Sequence, residues 1–220
     1  GAIFGALEYL TSFPYGCTEQ TMSSFLPNVL VSESLRTLGV ESRVDKVELE
    51  KKIRAGIERL SDFQHEDGGW GWWQTDDSAA FMTAYVVAGW AQAKAAGHAV
   101  PEERLQNGVA WLAKNIAKDV SADLRAYAVY AMALAGKPDA ALVNTLASDQ
   151  RNLSPYGLAL YGLALDAMKD GRADAVAQAL TGRVSESGSE AFWKADRDTL
   201  MDFEIDASPE ATAYAMKLLA

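Results

Sequence analysis

The sequence predicts an all-α protein, an α/α toroid in which inner and outer helices pair around a complete or incomplete ring. Three observations support this prediction. Four segments rich in Ala, Gly and Tyr recur along the chain, and such small residues let helices approach closely, as inner helices must. Amphipathic segments lie between them and would form the outer layer. No convincing alternation of period two, which would indicate strands, is present.

Length and composition limit the possible classes of protein. The chain has 220 residues, 49% hydrophobic and 23% charged, which is typical of one globular domain with a large core. We therefore expect a single domain over residues 1–220. Because the chain begins without Met and ends within a helical pattern, we expect it to be excised from a larger multidomain chain.

The charge and the rare residues argue against several partners. A net charge of −10 disfavours nucleic acid, because phosphate contacts need a basic surface. One cysteine excludes an internal disulfide, and two histidines leave too few ligands for a zinc site. No apolar run is long enough to span a bilayer, so a membrane would be reached only through an anchor in the parent chain. We expect neither a metal nor a cofactor.

The first predicted elements surround a turn. Residues 2–12 are apolar and favour a helix, which Pro14 and Gly16 break. The resulting turn presents Cys17, the only cysteine of the chain. Thr18 is expected to cap the helix that follows.

Two further helices are expected before residue 63. In the first, Pro27 predicts a kink or a restart and Gly39 predicts the end. Its apolar positions at helical spacing are Met22, Phe25, Leu26, Val29, Leu30 and Leu35. The second helix is expected over Glu41–Asp62. Its predicted apolar face consists of Val47, Ile53, Ile57 and Leu60.

Residues 64–73 form a second conspicuous segment, with three glycines and three tryptophans. We expect Trp70 to be a structural plug. The spacing of Gln64, Gly68 and Trp70 resembles the glutamine–tryptophan repeat of terpene cyclases, in which the motif ties a loop to the helix barrel. A surface of exposed indoles that binds a ligand or partner is the alternative. His65 is expected to be a surface loop residue rather than a catalytic base.

The remaining chain repeats the inner and outer theme. The predicted inner helices are Thr83–Ala93, Arg125–Gly136, Tyr156–Leu165 and Thr212–Ala220. The predicted outer helices are Pro101–Lys118, Pro138–Leu146 and Arg172–Leu180. Ser185–Asp206 interrupts this theme with Ser, Gly and acidic residues, and predicts either an irregular crossover loop or a short hairpin.

Cys17 and Gln20 suggest a specific reaction. A loop followed by the first turn of a helix can bring the two side chains together. A thiolate could then attack the side-chain amide of Gln20 and expel ammonia, which leaves an internal thioester. The alternative is structural: Cys17 is a small buried hydrophobe and Gln20 a surface residue.

The residues around this pair favour the thioester. Residues 14–22 (Pro-Tyr-Gly-Cys-Thr-Glu-Gln-Thr-Met), followed by Phe-Leu-Pro-Asn at 25–28, closely resemble the thioester motif of the alpha-2-macroglobulin and complement family. The resemblance implies that Cys17 and Gln20 form the thioester, with a loop supported by Tyr15, Gly16 and Glu19. Thr18 stands where animal members usually have Gly. The resemblance continues through residues 63–68 and 83–87 to about residue 112.

The resemblance implies a covalent trap rather than an enzyme: the thioester domain of a bacterial-type alpha-2-macroglobulin. A protease would cleave a bait segment elsewhere in the parent chain and expose the thioester to its own lysine amines. The implied partners are proteases and neighbouring domains, in the periplasm or at the cell surface. Some members activate the thioester for hydroxyl attack with a histidine. His65 and His98 have no matching context, so we expect direct reaction with amines.

Two alternatives remain from other classes. One is an α/α-toroid enzyme of the terpene cyclase or prenyltransferase type. Asp76 and Asp77 are too short for the D-x-D-D cluster of a class II cyclase, and Cys17 lacks the histidine partner of a prenyltransferase zinc site. The other is a partner-binding toroid without a thioester. The presence of both Cys17 and Gln20 disfavours it.

Overall fold

The computed structural model describes residues 16–38, 45–116 and 120–220, and these are almost entirely helical. The described ranges contain the helices α1 (Thr18–Leu38), α2 (Lys46–Asp62), α3 (Ala80–Ala95), α4 (Glu102–Asn115), α5 (Ala122–Leu134), α6 (Ala140–Asp149), α7 (Pro155–Ala167), α8 (Arg172–Thr181) and α9 (Ser208–Leu219). A 3₁₀ turn covers Gln150–Asn152, and a hairpin is formed by β1 (Ser185–Ser187) and β2 (Glu190–Phe192). The all-α class is confirmed. The helix predicted over residues 2–12 lies outside the described residues, as do Tyr15 and Gly39.

The chain divides into two compact units, Gly1–Trp111 and Leu112–Ala220. Each unit has its own buried helices and its own amphipathic ones. The single domain expected over residues 1–220 stays a prediction.

In the first unit, α1 packs against α2 and α3. The helix α1 runs through Pro27 without a break, so the predicted restart is wrong. The buried Asn28 side chain donates a hydrogen bond to the carbonyl of Ser24 at 2.7 Å, one turn back along the helix. Leu30, expected in the apolar stripe, is instead exposed.

Small residues allow the close approach of these helices, as predicted. A Cβ atom added to Gly56 of α2 would lie 2.7 Å from a ring carbon of Phe25. One added to Gly89 of α3 would lie 2.4 Å from the terminal methyl group of Met22. Apart from its two ends, α3 is buried along almost its whole length, which confirms its prediction as an inner helix.

The helix α2 differs from its prediction at its start and on its apolar face. It begins at Lys46, because the Asp45 carboxylate caps it by accepting the amides of Val47 and Glu48. Residues 41–44 lie outside the described part. Val47 is 79% exposed, so its placement on the buried face is wrong. The buried residues are Leu49, Ile53, Ile57 and Leu60.

In the second unit, α5 and α7 pack on each other and are buried along most of their length. The amphipathic helices α6 and α8 pack on these two from outside, α6 on α5 and α8 on α7, as the outer-helix prediction requires. The helix α9 packs on α7 but differs from an inner helix, since only Ala211 and Ala215 are buried in it. Ser185–Asp206 begins with a short hairpin, in which Ser185 pairs with Phe192 in an antiparallel ladder, and continues as irregular chain over residues 193–206.

Candidate functional site

Cys17 is a buried residue immediately before the first turn of α1. Its carbonyl accepts the amide of Thr21 at 3.0 Å, which is the first hydrogen bond of the helix. Cys17 therefore occupies the capping position, and the prediction that Thr18 caps the helix is wrong. Thr18 is the first helical residue, and its buried hydroxyl has no hydrogen-bond partner among the residues that the structure describes.

The side chain of Gln20 turns back to the backbone of Cys17. The Cys17 amide donates a hydrogen bond to Oε1 of Gln20 at 3.2 Å. Gly16 lies against the same side chain: a Cβ atom at this position would be 2.4 Å from Oε1. Only glycine leaves room for this placement of Gln20. The structure thus brings three of the predicted site residues together.

The other two predicted supporting residues have different outcomes. Glu19 accepts a hydrogen bond from the hydroxyl of Ser23 at 2.6 Å, one turn further along α1. Tyr15 lies outside the described residues.

The contact between Cys17 and Gln20 has a chemical consequence. Oε1 is the oxygen that would become negatively charged if a nucleophile attacked the side-chain carbonyl of Gln20. A backbone N–H already aimed at that oxygen would stabilise the charge, as the donors of an oxyanion hole do. The arrangement can therefore assist transfer of the Gln20 acyl group to a nucleophile and its later transfer to another nucleophile.

Arg59 of α2 is a site residue that the sequence analysis missed. Its Nη2 donates to the carbonyl of Gly16 at 2.7 Å, and its Nε donates to Oγ1 of Thr21 at 3.3 Å. The Thr21 hydroxyl in turn donates to the carbonyl of Cys17 at 2.9 Å. The sequence signal is weak: Arg59 follows Gly56 by three residues and so shares the helix face that packs on α1.

Residues 64–79, here called the tryptophan loop, also reach this site. The carbonyl of Trp72 accepts the amide of Thr18 at 2.9 Å. The Asp76 carboxylate holds this part of the loop by accepting the amides of Trp72 at 2.8 Å and of Trp73 at 3.1 Å. Asp76 therefore fixes the shape of the tryptophan loop in which it lies.

The prediction that Trp70 is a structural plug is confirmed. Trp70 is fully buried, its Nε1 donates to the carbonyl of Leu60 at 2.7 Å, and its ring packs edge-on against Trp90. Trp72 and Trp73 are exposed, so the alternative of exposed indoles describes these two.

Gln64 ties the tryptophan loop to α4, as its resemblance to the terpene cyclase repeat implies. Its side-chain amide donates to the carbonyls of Gly68 and Arg104, both at 2.8 Å. A polar groove of about 420 Å³ lies beside it and is lined by Gln64, His65, Glu66, Glu103, Arg104 and Asn107.

His65 is half-buried in the tryptophan loop and is part of its hydrogen-bond network. Its Nδ1 lies 2.9 Å from Oγ of Ser78, and its Nε2 lies 2.8 Å from the carbonyl oxygen of Trp73. The Ser78 hydroxyl donates to Asp67 at 2.8 Å. Since a carbonyl can only accept and the Ser78 proton is already given to Asp67, both ring nitrogens of His65 face acceptors.

Asp67 is the acceptor at the centre of this network. Burial would raise the pKa of Asp67, but hydrogen bonds from the Gly69 amide, the Ser78 hydroxyl and the Trp111 indole lower that pKa below its ordinary value. The indole Nε1 of Trp111 lies 2.8 Å from its Oδ2. The ionised carboxylate therefore stabilises the folded loop.

The second histidine lies elsewhere in the first unit. The ring of His98 is 3.2 Å from Oγ of Ser32 and 3.2 Å from a carboxylate oxygen of Glu50. Ser32 is about four helical turns from Cys17 along α1. Neither His65 nor His98 hydrogen-bonds to Cys17 or Gln20 in the described ranges.

The residues that the structure describes include no cluster of three or more His, Cys, Asp or Glu side chains that could hold a metal ion. None of their helices has the length and apolar character needed to cross a membrane.

The fold is shared with solved alpha-2-macroglobulins. The native Escherichia coli protein, from domain MG7 to the C-terminus, matches 85% of this chain with a TM-score of 0.67 and 23% identity, over 32% of its own length. Salmonella alpha-2-macroglobulin reacted with methylamine matches 83% with a TM-score of 0.65 and 22% identity, over 13% of its length. These likenesses confirm the predicted fold class, an all-α protein of the α/α toroid type.

Sequence relatives include bacterial alpha-2-macroglobulins. The Thermotoga maritima protein is 42% identical over 110 residues, which are 50% of this chain and 7% of that protein. The alpha-2-macroglobulin homolog of Yersinia pestis is 32% identical over 154 residues, 68% of this chain and 7% of that protein. This chain thus spans only a small part of the length of these relatives.

The model of the A-macroglobulin TED domain matches residues 3–121, more than half of the chain. The chain therefore belongs to the A-macroglobulin TED domain family.

Proposed function

We propose that Cys17 and Gln20 form an internal thioester and that this domain is the covalent trap of an alpha-2-macroglobulin-like protease inhibitor. The hydrogen bond from the Cys17 amide to Oε1 of Gln20 supports the proposal most directly. In the proposed step Sγ of Cys17 attacks Cδ of Gln20, so that an S–C bond forms and the C–N bond breaks. The amide nitrogen leaves as ammonia and takes the thiol proton with it.

The same carbonyl is then the target of capture. A lysine amine of the protease attacks Cδ, forms an amide with the acyl group of Gln20 and releases the thiol of Cys17. Gln20 is exposed whereas Cys17 is buried, so the carbonyl side of the bond is the accessible one. This asymmetry suits attack by a large partner on the carbonyl with the sulfur as leaving group.

The remaining parts of the trap lie in the full-length protein. Bait cleavage by the protease exposes the thioester, and neighbouring domains shield it from water until then. We propose that the full-length protein acts in the periplasm or at the cell surface, as the family resemblance implies. Amines are the proposed nucleophiles, because the histidine used for hydroxyl attack in some members has no counterpart in the sequence.

Covalent capture tests this proposal. The full-length protein is mixed with a protease that cleaves it, and the products are separated under denaturing and reducing conditions. We expect a protein–protease adduct that persists under these conditions, and Cys17→Ala and Gln20→Ala should each abolish it. Gln178→Ala, on the exposed part of α8, is the matched control and should keep it. Pretreatment with methylamine should also prevent the adduct. An adduct that survives in Cys17→Ala would contradict the proposal.

A further inference from the structure

We propose that Arg59 is a positioning residue for the thioester, because it orients the peptide group whose N–H polarises the carbonyl of Gln20. The inference rests on the proposed function. It concerns a residue that lies about forty positions from the thioester motif and contacts it through the fold.

The first step is geometric. Nη2 of Arg59 lies 2.7 Å from the carbonyl oxygen of Gly16. The N–H of the same peptide group belongs to Cys17 and donates to Oε1 of Gln20 at 3.2 Å. The C=O and N–H of a trans peptide group lie in one plane and point in opposite directions. A donor fixed on the Gly16 oxygen therefore aims the Cys17 N–H at Gln20.

The second step is electrostatic. A guanidinium stays charged in proteins, and a charged donor makes a hydrogen bond roughly twice as strong as a neutral one. Polarisation passes along connected hydrogen bonds, so a charged donor on the Gly16 carbonyl strengthens the N–H of Cys17 as a donor. In the described residues, no carboxylate forms an ion pair with Arg59. Its charge is directed at the peptide group.

The third step is that Arg59 is itself held in place. Its guanidinium carbon lies 4.8 Å from the centre of the ring of Phe63, the residue directly after the end of α2. Its Nε donates to the hydroxyl of Thr21, which donates to the carbonyl of Cys17. One side chain thus controls the peptide groups on both sides of Cys17, directly on one side and through Thr21 on the other.

The position of the Cys17 N–H affects two reactions at the carbonyl of Gln20. Formation of the thioester and its reaction with an amine both pass through a tetrahedral intermediate with negative charge on Oε1. The Cys17 N–H stabilises that charge in both reactions. Weakening or misdirecting this donor should therefore slow both, whereas mere loosening of the fold should expose the thioester and speed its reaction with an amine.

The test uses the full-length protein with Arg59→Met, Arg59→Lys and the control Arg54→Met, an exposed arginine on the same helix. Loss of ammonia after synthesis is followed by intact mass, and thiol release on addition of methylamine is followed by a thiol reagent. Thermal unfolding is measured in parallel. Complete loss of an oxyanion donor slows a reaction by about 100-fold or more, so we expect about tenfold for a weakened one.

We expect both rates to fall in the order Arg, Lys, Met, with Arg54→Met equal to wild type. Lysine should restore only part of the rate because it offers a point charge in place of a planar fork. Wild-type rates in Arg59→Met overturn the inference, and so does faster reaction with methylamine at a lower unfolding temperature. If Arg59→Met does not fold, the test rests on Arg59→Lys. Wild-type rates of ammonia loss and thiol release in Arg59→Lys would then overturn the inference. A wild-type protein that never loses ammonia contradicts the proposed function itself, which is a separate outcome.

Discussion

The backbone carbonyl of Trp72 accepts a hydrogen bond from the backbone amide of Thr18 at 2.9 Å. Thr18 is the first residue of α1, and the amides of a first helical turn have no partner within the helix. The tryptophan loop supplies a hydrogen-bond acceptor for the amide of Thr18, the residue directly after Cys17. This loop is therefore part of the candidate site, although it contributes no reacting atom.

The anchor of the tryptophan loop should be energetically important. Trp70→Ala should lower the free energy of unfolding by about 3–5 kcal/mol, because a fully buried aromatic side chain and its hydrogen bond to Leu60 are lost. Trp73→Ala is the control: Trp73 is 54% exposed, and its replacement should change the free energy by less than about 0.5 kcal/mol. Denaturant unfolding of both variants measures the difference. Similar small effects for the two would refute the structural role of Trp70.

Gly16 should be required for the chemistry more than for the fold. In Gly16→Ala the new methyl group would lie 2.4 Å from Oε1 of Gln20, so the side chain must move and lose its contact with the Cys17 amide. We expect a sharply reduced fraction of full-length protein that lacks one ammonia by intact mass, with helical content unchanged. Gly171→Ala, where nothing lies within 4 Å of the added atom, should match wild type. Full thioester formation in Gly16→Ala would show that the observed placement of Gln20 is not needed.

The Asp67 network predicts a pH dependence of stability. The pKa of Asp67 is lowered in the folded state, so its stabilising contribution is complete above the unfolded pKa of about 3.9. The contribution is lost as the pH falls through the folded value, since protonation removes the charged acceptor. Urea unfolding of wild type and Asp67→Asn should therefore give a difference that narrows below about pH 4. Asp174→Asn, on the exposed part of α8, controls for general charge effects. A difference that stays constant down to the acid limit would argue against an ionised Asp67 in the network.

The sequence predicted those parts of the fold that depend on local pattern. The inner helix α3 is predicted because its segment is rich in Ala, Gly and Tyr, and small residues let helices approach closely. The buried Trp70 is predicted because a tryptophan beside glycine turns supplies a large apolar plug. The error at Val47 is also local. Positions 49, 53, 57 and 60 follow the spacing of one helix face, whereas 47 and 53 are six residues apart and point in different directions.

The parts of the site that the sequence did not reveal depend on contacts between distant residues. Arg59 is 43 positions from Gly16, and His65 is 13 positions from Ser78. No periodicity marks such pairs. The prediction that Thr18 caps α1 is wrong because the first helical hydrogen bond goes to the carbonyl of Cys17, one residue earlier.

The central claim is the bond between Cys17 and Gln20, and the intact mass of the untreated full-length protein tests it most directly. The protein is purified without amines or reductants, and its mass is compared with that of Cys17→Ala. We predict that wild type is lighter than its sequence mass by one ammonia, whereas Cys17→Ala has the mass of its sequence. Peptide mapping should place the loss on the segment that contains both residues. An unmodified Gln20 together with a free Cys17 thiol before any treatment would contradict the thioester.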